Sequence, residues 1–338
     1  MSKLDDLMKE FNKDLKGDIF HRGVSAFDYE RIPFTSPRLN YITYGGLPVG
    51  KLIEFYGEEH GGKTTTALDI VANYQHGNDG RTVLYVDAEN TLDVVWATKL
   101  GVEVDDMIIM NPTNQGAETI FEKVLQIIDT GEIGLVVIDS LGVMLSNKAL
   151  DDSVEQKNYG GIAMALTNFS KKAEMFCNKH KCTIIGINQM RDDMNSMYGG
   201  TTTTGGRAWK HNVSARIEFR RGKFFDDKYK EISRNAENPV GNYVMVAMTK
   251  NKTCPPTRHT GFYTLRYDIG IDYLYDLTEL CIKYGIIEKA GAWFSLLTEE
   301  GEQITKVQGQ SAMYDYLNAN PETLKEVEER VNRKMEEE

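Results

Sequence analysis

The sequence predicts an α/β fold with a mostly parallel central sheet, preceded by a short helix and followed by a mainly helical C-terminal part. Apolar runs alternate with helical patterns from about residue 36 to residue 270, which is the order that produces a parallel sheet. One of these runs leads into a glycine-rich phosphate-binding loop, and such loops join a strand to a helix. The 338 residues suffice for one large domain and a smaller one.

The phosphate-binding loop (P-loop) spans residues 57–64, where GEEHGGKT matches the pattern G-x-x-x-x-G-K-[ST]. Its glycines allow successive backbone N–H groups to point at one anion, and Lys63 adds a positive charge for the terminal phosphates. The Thr64 hydroxyl is a suitable ligand for Mg²⁺. The helix that follows adds partial positive charge beneath the phosphates. The motif therefore predicts a site for a nucleoside triphosphate and Mg²⁺.

Three further apolar runs end in polar side chains. Residues 135–140 include Asp139, and because ligands bind at the carboxyl ends of parallel strands, we expect Asp139 to face Mg²⁺ beside Thr64. Residues 83–89 end in Glu89, the candidate for positioning the attacking water, although an acid near the start of the next helix is an alternative interpretation. Residues 182–189 end in Gln189, whose neutral amide can sense a γ-phosphate by hydrogen bonding.

Composition excludes some classes of protein. The formal charge of −11 and pI of about 5.2 argue against a simple electrostatic nucleic-acid binder, but leave room for DNA binding through a few local groups. No apolar stretch approaches the length of a membrane span, so we expect no membrane association. The first residues lack the apolar core of a signal peptide, which predicts a cytoplasmic protein. The four cysteines are expected to be reduced thiols.

The chain divides into three predicted regions: residues 1–35, 36–270 and 271–338. Apolar residues recur at helical spacing from Leu4 to Leu15, which predicts an amphipathic helix that packs either on its own domain or on a neighbouring subunit. Two polar segments, 146–161 and 190–206, follow strands that end at the nucleotide. Long loops in a compact domain are usually functional or disordered, and both interpretations stay open from composition alone.

Several motifs together resemble the RecA recombinases of bacteria and their phage relatives, over residues 43–333. They include GGLPVG at 45–50, DAE at 87–89, NQMR at 188–191, TTGG at 203–206 and KNK at 250–252. EKAGAW at 288–293 and NPET at 320–323 resemble the small domain of the same family. The resemblance implies a RecA-like P-loop ATPase core with a mostly parallel central sheet, an N-terminal helix that packs between subunits and a small C-terminal α+β domain with an acidic tail.

The resemblance also implies a function. Members of this family form an ATP-dependent helical filament on single-stranded DNA and pair it with a homologous duplex during recombination and the repair of DNA damage. Glu89 matches the catalytic carboxylate, and Gln189 the residue that couples the γ-phosphate to the following loop. Asp93 and Trp96 match positions near the adenine. Lys250 and Lys252 match lysines that reach ATP across the subunit interface.

The predicted site residues fall into four groups. The predicted catalytic residues are Glu89, Gln189, Lys250 and Lys252. The predicted ATP-binding residues are Gly57, Glu58, Glu59, His60, Gly61, Gly62, Lys63, Thr64, Thr65, Asp93 and Trp96. The predicted Mg²⁺ ligands are Thr64 and Asp139. The resemblance places DNA-binding residues in the two polar segments: Tyr159, Arg191, Met194, Gly205 and Gly206.

The chain departs from the usual bacterial pattern at several positions. His60 and Gly61 replace two serines of the family's P-loop, and Asp192 and Asp193 stand where basic or apolar residues are commoner. Met164 stands where many members have an arginine. The changes at Asp192, Asp193 and Met164 remove positive charge from the expected DNA path. They favour a diverged member, of the kind that a phage or mobile element carries.

Two other kinds of protein share these ATP-binding residues with recombinases. A RecA-fold helicase or processing motor would need extra domains that this sequence does not show. A DNA-binding filament that anneals or regulates without exchanging strands would keep every ATP-binding residue, so the sequence does not separate it from a recombinase.

Overall fold

The structure is a computed structural model that describes residues 3–15, 20, 29–77, 80–152, 161–192, 200–233 and 235–338. The chain divides into two compact units, Met1–Glu30 and Arg31–Glu338. This division is not the one expected at residues 35 and 270, and the three-region scheme remains a prediction. Within the described residues, no helix combines the length and apolar character that crossing a membrane requires.

The first unit contains the predicted amphipathic helix. Helix α1 spans Lys3–Asp14, close to the range of helical spacing from Leu4 to Leu15. Leu4, Leu7 and Phe11 on this helix are all at least 40% exposed. Two hydrogen bonds join this helix to Phe20: the Asn12 side chain accepts from the backbone N–H of Phe20 and donates to its carbonyl oxygen.

The second unit alternates strands and helices. Its helices are α2 (Pro37–Thr43), α3 (Lys63–His76), α4 (Val94–Lys99), α5 (Ala117–Ile128), α6 (Asn147–Asp151), α7 (Gly161–His180), α8 (Gly206–Asn212), α9 (Tyr273–Lys283), α10 (Gln310–Ala319) and α11 (Pro321–Glu337). Its strands are β1 (Arg31–Ile32), β2 (Leu47–Pro48), β3 (Leu52–Gly57), β4 (Thr82–Asp87), β5 (Met107–Met110), β6 (Ile133–Asp139), β7 (Thr183–Asp192), β8 (Thr201–Thr203), β9 (Ala215–Phe225), β10 (Glu231–Ile232), β11 (Gly241–Asn251), β12 (Thr260–Arg266), β13 (Gly270–Ile271), β14 (Ile287–Ala290), β15 (Trp293–Leu297) and β16 (Gln303–Gln308).

The central sheet has a parallel part and an antiparallel part. Its strand order is β13-β12-β11-β9-β3-β7-β6-β4-β5. Pairing is parallel from β9 through β3 to β5 and antiparallel from β9 to β13. This confirms the predicted α/β fold with a mostly parallel sheet. The parallel strands β3 and β6 are buried at every residue, because helices cover both faces of the sheet.

Two apolar cores lie on the two faces of this sheet. One contains Phe55 of β3 together with Leu68 and Val71 of α3. The other contains Val136 of β6 and Leu166 of α7. Successive side chains of a strand point to opposite faces, so each central strand contributes to both cores. The strands are therefore held firmly, and their carboxyl ends form a rigid edge.

The C-terminal part contains strands as well as the helices that its sequence pattern predicted. Strands β14, β15 and β16 form a separate three-stranded antiparallel sheet, and helices α9, α10 and α11 share an apolar core with it. The resemblance to a small α+β domain therefore gave the better prediction. Strand β16 gives little signal in the sequence, because it has no fully buried residue.

The structure describes the ends of the two predicted loops. The segment from residue 146 begins with Ser146, whose Oγ accepts from the backbone N of Ala149 at the start of α6. The segment from residue 190 begins as a ladder, because Met190 on β7 pairs with Thr203 on β8. The first segment therefore begins with helix α6, and the second contains the antiparallel pair β7 and β8. Residues 153–160 and 193–199 lie outside the described residues.

Candidate active site

The P-loop connects β3 to α3, as the motif predicts. Strand β3 ends at Gly57, and α3 begins at Lys63. Gly62 adopts a left-handed conformation with φ of 94°, and a Cβ there would lie 2.9 Å from Oη of Tyr263. A side chain would thus be strained both by the backbone conformation and by this contact. The helix N-terminus can therefore approach a phosphate group closely.

Lys63 is held by the loop that precedes it. Its Nζ donates to the carbonyl oxygens of Gly57, at 3.1 Å, and Glu58, at 2.6 Å. The side chain is buried, and this desolvation lowers its pKa, while the charge of Asp139 acts in the opposite direction. The ammonium group is thus positioned within the P-loop, where a phosphate group could replace the carbonyl oxygens as its partner.

Thr64 and Asp139 lie together, as predicted for a pair of Mg²⁺ ligands. Oγ1 of Thr64 donates to Oδ2 of Asp139 at 2.7 Å, and Oη of Tyr85 donates to the same oxygen at 2.9 Å. Burial raises the pKa of Asp139, and the two hydrogen bonds oppose that rise. A hydroxyl and a carboxylate oxygen are the kind of ligands that Mg²⁺ takes beside substrate phosphates, so these residues fit the ion.

Glu89 is fixed by two neighbours. Its Oε1 accepts from Nε2 of Gln189 at 3.1 Å and from Oγ of Ser140. Gln189 lies on β7 and Ser140 follows β6, so three neighbouring strand ends meet at one carboxylate. Glu89 does not cap the next helix. Asp93 does so, because its Oδ1 accepts from the backbone N of Trp96 at 2.9 Å.

Two clefts flank the P-loop. One, of about 370 Å³, is lined by Glu59, His60, Lys63, Thr64, Glu89, Asp139, Ser140, Ile187 and Gln189. The other, of about 440 Å³, is lined by His60, Gly61, Gly62, Lys63, Thr64, Thr65, Trp96, Arg221, Asn242, Leu265 and Tyr267. The first contains the predicted catalytic carboxylate and Mg²⁺ ligands, and the second is lined by aromatic rings suited to a base. The two clefts share His60, Lys63 and Thr64, so they meet at the P-loop.

Of the two residues predicted to lie near the adenine, Trp96 lines the second cleft and Asp93 caps a helix. Nε1 of Trp96 donates to Oγ1 of Thr65 at 3.3 Å, which joins the ring to the P-loop helix. Asp93 is exposed and caps α4, and it does not line the second cleft.

Lys250 and Lys252 lie apart from these clefts and line neither of them within the described part of the chain. Nζ of Lys250 donates to the carbonyls of Lys210 and His211, and Nζ of Lys252 also donates to His211. Lys250 pairs with Arg216 on β9, which in turn pairs with Glu54 on β3. Glu54 precedes Gly57 by three residues, or about 10 Å of strand. Both lysines therefore lie beside the half of β3 that is remote from the P-loop.

The predicted DNA-binding residues are described only in part. Tyr159 and Met194 lie outside the described residues. Arg191 is exposed, and its Nη2 donates to the carbonyl of Gly142 at 2.9 Å. Gly205 is buried at the start of α8, and Gly206 is exposed beside it.

Sequence reasoning missed several residues. Ser140 was visible only as part of the run that ends in Asp139, and Tyr85 only as a strand residue. Arg221, Asn242 and Tyr267 line the second cleft from the antiparallel part of the sheet, far from the P-loop in sequence. Tyr267 donates from Oη to Oδ1 of Asn242 at 2.8 Å. The signal that could have found Asn242 and Tyr267 is an amide or aromatic residue near a strand end, whereas Arg221 lies within β9 and carries no such signal.

Comparison with known proteins gives a consistent result along the chain. The RecA N-terminal domain model matches residues 2–272, and the RecA C-terminal domain model matches residues 275–336.

Among similar proteins are three that bear the name Protein RecA. The protein from Streptomyces ambofaciens is 35% identical over 323 residues, covering 95% of this chain and 82% of the relative. That from Fusobacterium nucleatum is 36% identical over 311 residues, with coverage of 90% and 76%. That from Thermotoga maritima is 31% identical over 338 residues, with coverage of 98% and 91%. The chain therefore belongs to the RecA family of DNA-dependent ATPases and recombinases.

Proposed function

We propose that this recombinase binds ATP with Mg²⁺, assembles as a helical filament on single-stranded DNA and pairs that strand with a homologous duplex. The observation that carries the proposal is the arrangement in the 370 Å³ cleft. Glu89, held by Gln189 and Ser140, shares this cleft with Lys63 and with the hydrogen-bonded pair of Thr64 and Asp139. We place this work in the cytoplasm, where bacteria keep their DNA, because the similar RecA proteins come from bacteria.

Each side chain in the cleft has a separate task. Lys63 binds the terminal phosphates, and Thr64 and Asp139 hold Mg²⁺. When bound, the ion neutralises charge that develops on the phosphate oxygens. Glu89 orients the attacking water and accepts its proton at a carboxylate oxygen. Gln189 has a neutral amide, so it can change partner from Glu89 to a γ-phosphate oxygen without changing the charge of the cleft.

The same residues give ATP a way to affect DNA binding. Gln189 lies on β7, which ends at Asp192. The proposed DNA contact Arg191 lies on the same strand, and the proposed contact Met194 follows it in sequence. A change of partner at Gln189 would pull on that strand. Phosphate contacts from Arg191 and from backbone N–H groups near Gly205 and Gly206 would then position the strand of DNA, while Met194 and Tyr159 would separate bases.

The remaining proposed ATP contacts come from a second subunit. Lys250 and Lys252 lie beside the remote half of β3. A lysine from the same chain would therefore have to cross strand β9 and about 10 Å of strand length to reach its own P-loop. We therefore assign them to the ATP of a neighbouring subunit. Such an interface joins unlike surfaces and can repeat without closing, as a helical filament requires.

The test is formation of joint molecules from homologous single-stranded and duplex DNA, with and without ATP and Mg²⁺. We expect joint molecules only with ATP, Mg²⁺ and homologous sequence. Heterologous duplex and Lys63→Ala are the controls, and both should give none. Nucleotide-dependent filaments that never form joint molecules would instead support the alternative, an annealing or regulatory filament without strand exchange.

A further inference from the structure

A buried polar cluster connects the strand that leads into the P-loop with the segment that returns from the 190–206 loop. Its members are Glu54, Asn188, Thr203, Thr204 and Arg216. Glu54 and Asn188 have no exposed surface, and Thr203 is only 5% exposed. None of these residues belongs to the two clefts, so binding of the nucleotide does not account for the cluster.

Asn188 ties the two segments together with one amide nitrogen. Its Nδ2 donates to Oε1 of Glu54 on β3 at 2.8 Å and to the carbonyl oxygen of Thr204 at 2.8 Å. Both N–H groups of the amide are thus used. The position of Thr204, which precedes Gly205, is therefore fixed relative to β3.

Arg216 makes a second link. Its Nε pairs with Oε2 of Glu54, and its Nη2 donates to Oγ1 of Thr203 at 3.2 Å. The guanidinium also lies 4.4 Å from the ring centroid of Tyr56, the residue before the P-loop. A planar guanidinium can make these contacts at once, which an ammonium group cannot.

A buried carboxylate cannot lose its partners without a large cost, because no water is available to replace them. Movement of Thr203 or Thr204 must therefore either be resisted by Glu54 or be passed to β3. The other end of the loop is attached to the nucleotide site through Gln189 and Glu89. The loop is thus attached at both ends, by separate contacts, to strands that carry the nucleotide-binding residues.

We propose that the contact from Thr203 through Arg216 to Glu54 is a second coupling route between the loop and the nucleotide site, besides that through Gln189. Thr203 and Arg216 are then positioning residues that set how strongly nucleotide changes the affinity for DNA. The inference rests on the proposed function, since it requires that this loop contacts DNA.

The experiment compares two threonines of the same strand. Thr203→Val removes the hydroxyl that accepts from Arg216 and keeps the shape of the side chain. Thr202→Val is the matched control, because Oγ1 of Thr202 accepts from Lys210 of α8 and has no link to β3. For each protein, the Kd of a labelled single-stranded oligonucleotide is measured with ADP and with a non-hydrolysable ATP analogue. The ratio of the two Kd values measures the coupling.

We expect Thr203→Val to reduce this ratio about five-fold or more, the lower range of typical couplings. Thr202→Val should leave the ratio unchanged, since it removes a hydrogen bond to Lys210 and leaves the contact between Thr203 and Arg216 in place. Arg216→Lys is the second variant, and it should also reduce the ratio, because lysine keeps the charge beside Glu54 but cannot bridge to Thr203. Thermal melting of each variant without DNA separates loss of coupling from loss of stability.

Three results would overturn the inference. An unchanged ratio in both Thr203→Val and Arg216→Lys would remove the second route and leave the proposed function intact, because wild-type binding would still depend on nucleotide. An equal reduction in Thr202→Val and Thr203→Val would show that the strand, and not the link to Glu54, sets the ratio. A wild-type ratio of one would contradict both the inference and the proposed function.

Discussion

Nε2 of Gln189 on β7 donates to Oε1 of Glu89, which follows β4, at 3.1 Å. Strand β6 lies between these two strands in the central sheet. The residues are 100 positions apart in sequence, yet one is the proposed catalytic carboxylate and the other lies on the strand that leads to the proposed DNA-binding loop. If either side chain changes its hydrogen-bond partner, the other therefore loses this contact.

Glu89→Gln should separate ATP binding from hydrolysis. Lys63, Thr64 and Asp139 remain, and the amide oxygen of glutamine can still accept from Ser140, so ATP affinity should change little. Loss of the carboxylate as a proton acceptor should reduce the rate of hydrolysis by a factor of about 10² or more. Steady-state phosphate release and nucleotide binding are the measurements.

The matched control is Glu122→Gln, which makes the same change on the exposed face of α5. Its hydrolysis rate should equal that of the wild type. If Glu89→Gln hydrolyses ATP within a few-fold of the wild type, another residue positions the water.

A mixture of two inactive variants should regain hydrolysis if the site is shared between subunits. Lys63→Ala keeps the lysines of β11 and the segment after it, and the double variant Lys250→Ala, Lys252→Ala keeps the P-loop. In an equal mixture with random assembly, about a quarter of the interfaces would join an intact P-loop to intact lysines. DNA-stimulated phosphate release should therefore reappear on mixing. Continued inactivity of filaments shown to contain both variants would argue against a shared site.

Asp276 should make stability fall as pH rises through the acidic range. The side chain is fully buried, and this burial raises the pKa to about 7, against the opposing effects of Arg38 and of hydrogen bonds from Ser36 and Thr264. The unfolded carboxyl titrates near pH 4, so the folded state binds more protons between about pH 4 and pH 7. The contribution of this group is thus fully present at low pH and is lost as pH rises through 7.

Asp276→Asn should remove that loss, because the amide resembles the protonated acid. Urea unfolding at pH 5 and pH 8 should show that the variant gains stability relative to the wild type at the higher pH, by roughly 3 kcal/mol for the two pH units between pH 5 and the folded pKa of about 7. Asp315→Asn, an exposed change on α10, should show no such difference. Parallel pH profiles for wild type and Asp276→Asn would exclude a role for this carboxyl.

Gly205 and Gly206 should respond differently to alanine. Both have positive φ, of 108° and 68°, but a Cβ on Gly205 would lie 2.9 Å from Cβ of Trp209, whereas at Gly206 the nearest atom is 3.9 Å away. Gly205→Ala should therefore cost about 1 kcal/mol or more beyond the cost of Gly206→Ala in urea unfolding. Equal losses would mean that the contact with Trp209 relaxes freely. The comparison also shows which glycine can be changed in DNA-binding assays without loss of folding.

The sequence predicted the features that depend on short-range pattern. The P-loop is recognisable because one local backbone shape requires its glycines, and Asp139 because a buried strand that ends in an acid is a local signal. Ser140 and Tyr85 escaped notice, because their roles depend on which strands are neighbours. Strand β16 was missed for another reason: without a fully buried residue it lacks a continuous apolar run.

The separation of Lys250 from the P-loop has a consequence for how activity depends on DNA length. In the proposed filament, every complete ATP site needs two adjacent subunits, so one subunit at an end always has an incomplete site. The fraction of incomplete sites is largest in the shortest filaments. ATP turnover per subunit should then rise with the length of the single strand and level off on long strands, and an isolated subunit should hydrolyse ATP very slowly. Such a protein would consume ATP mainly where a continuous stretch of single-stranded DNA is exposed.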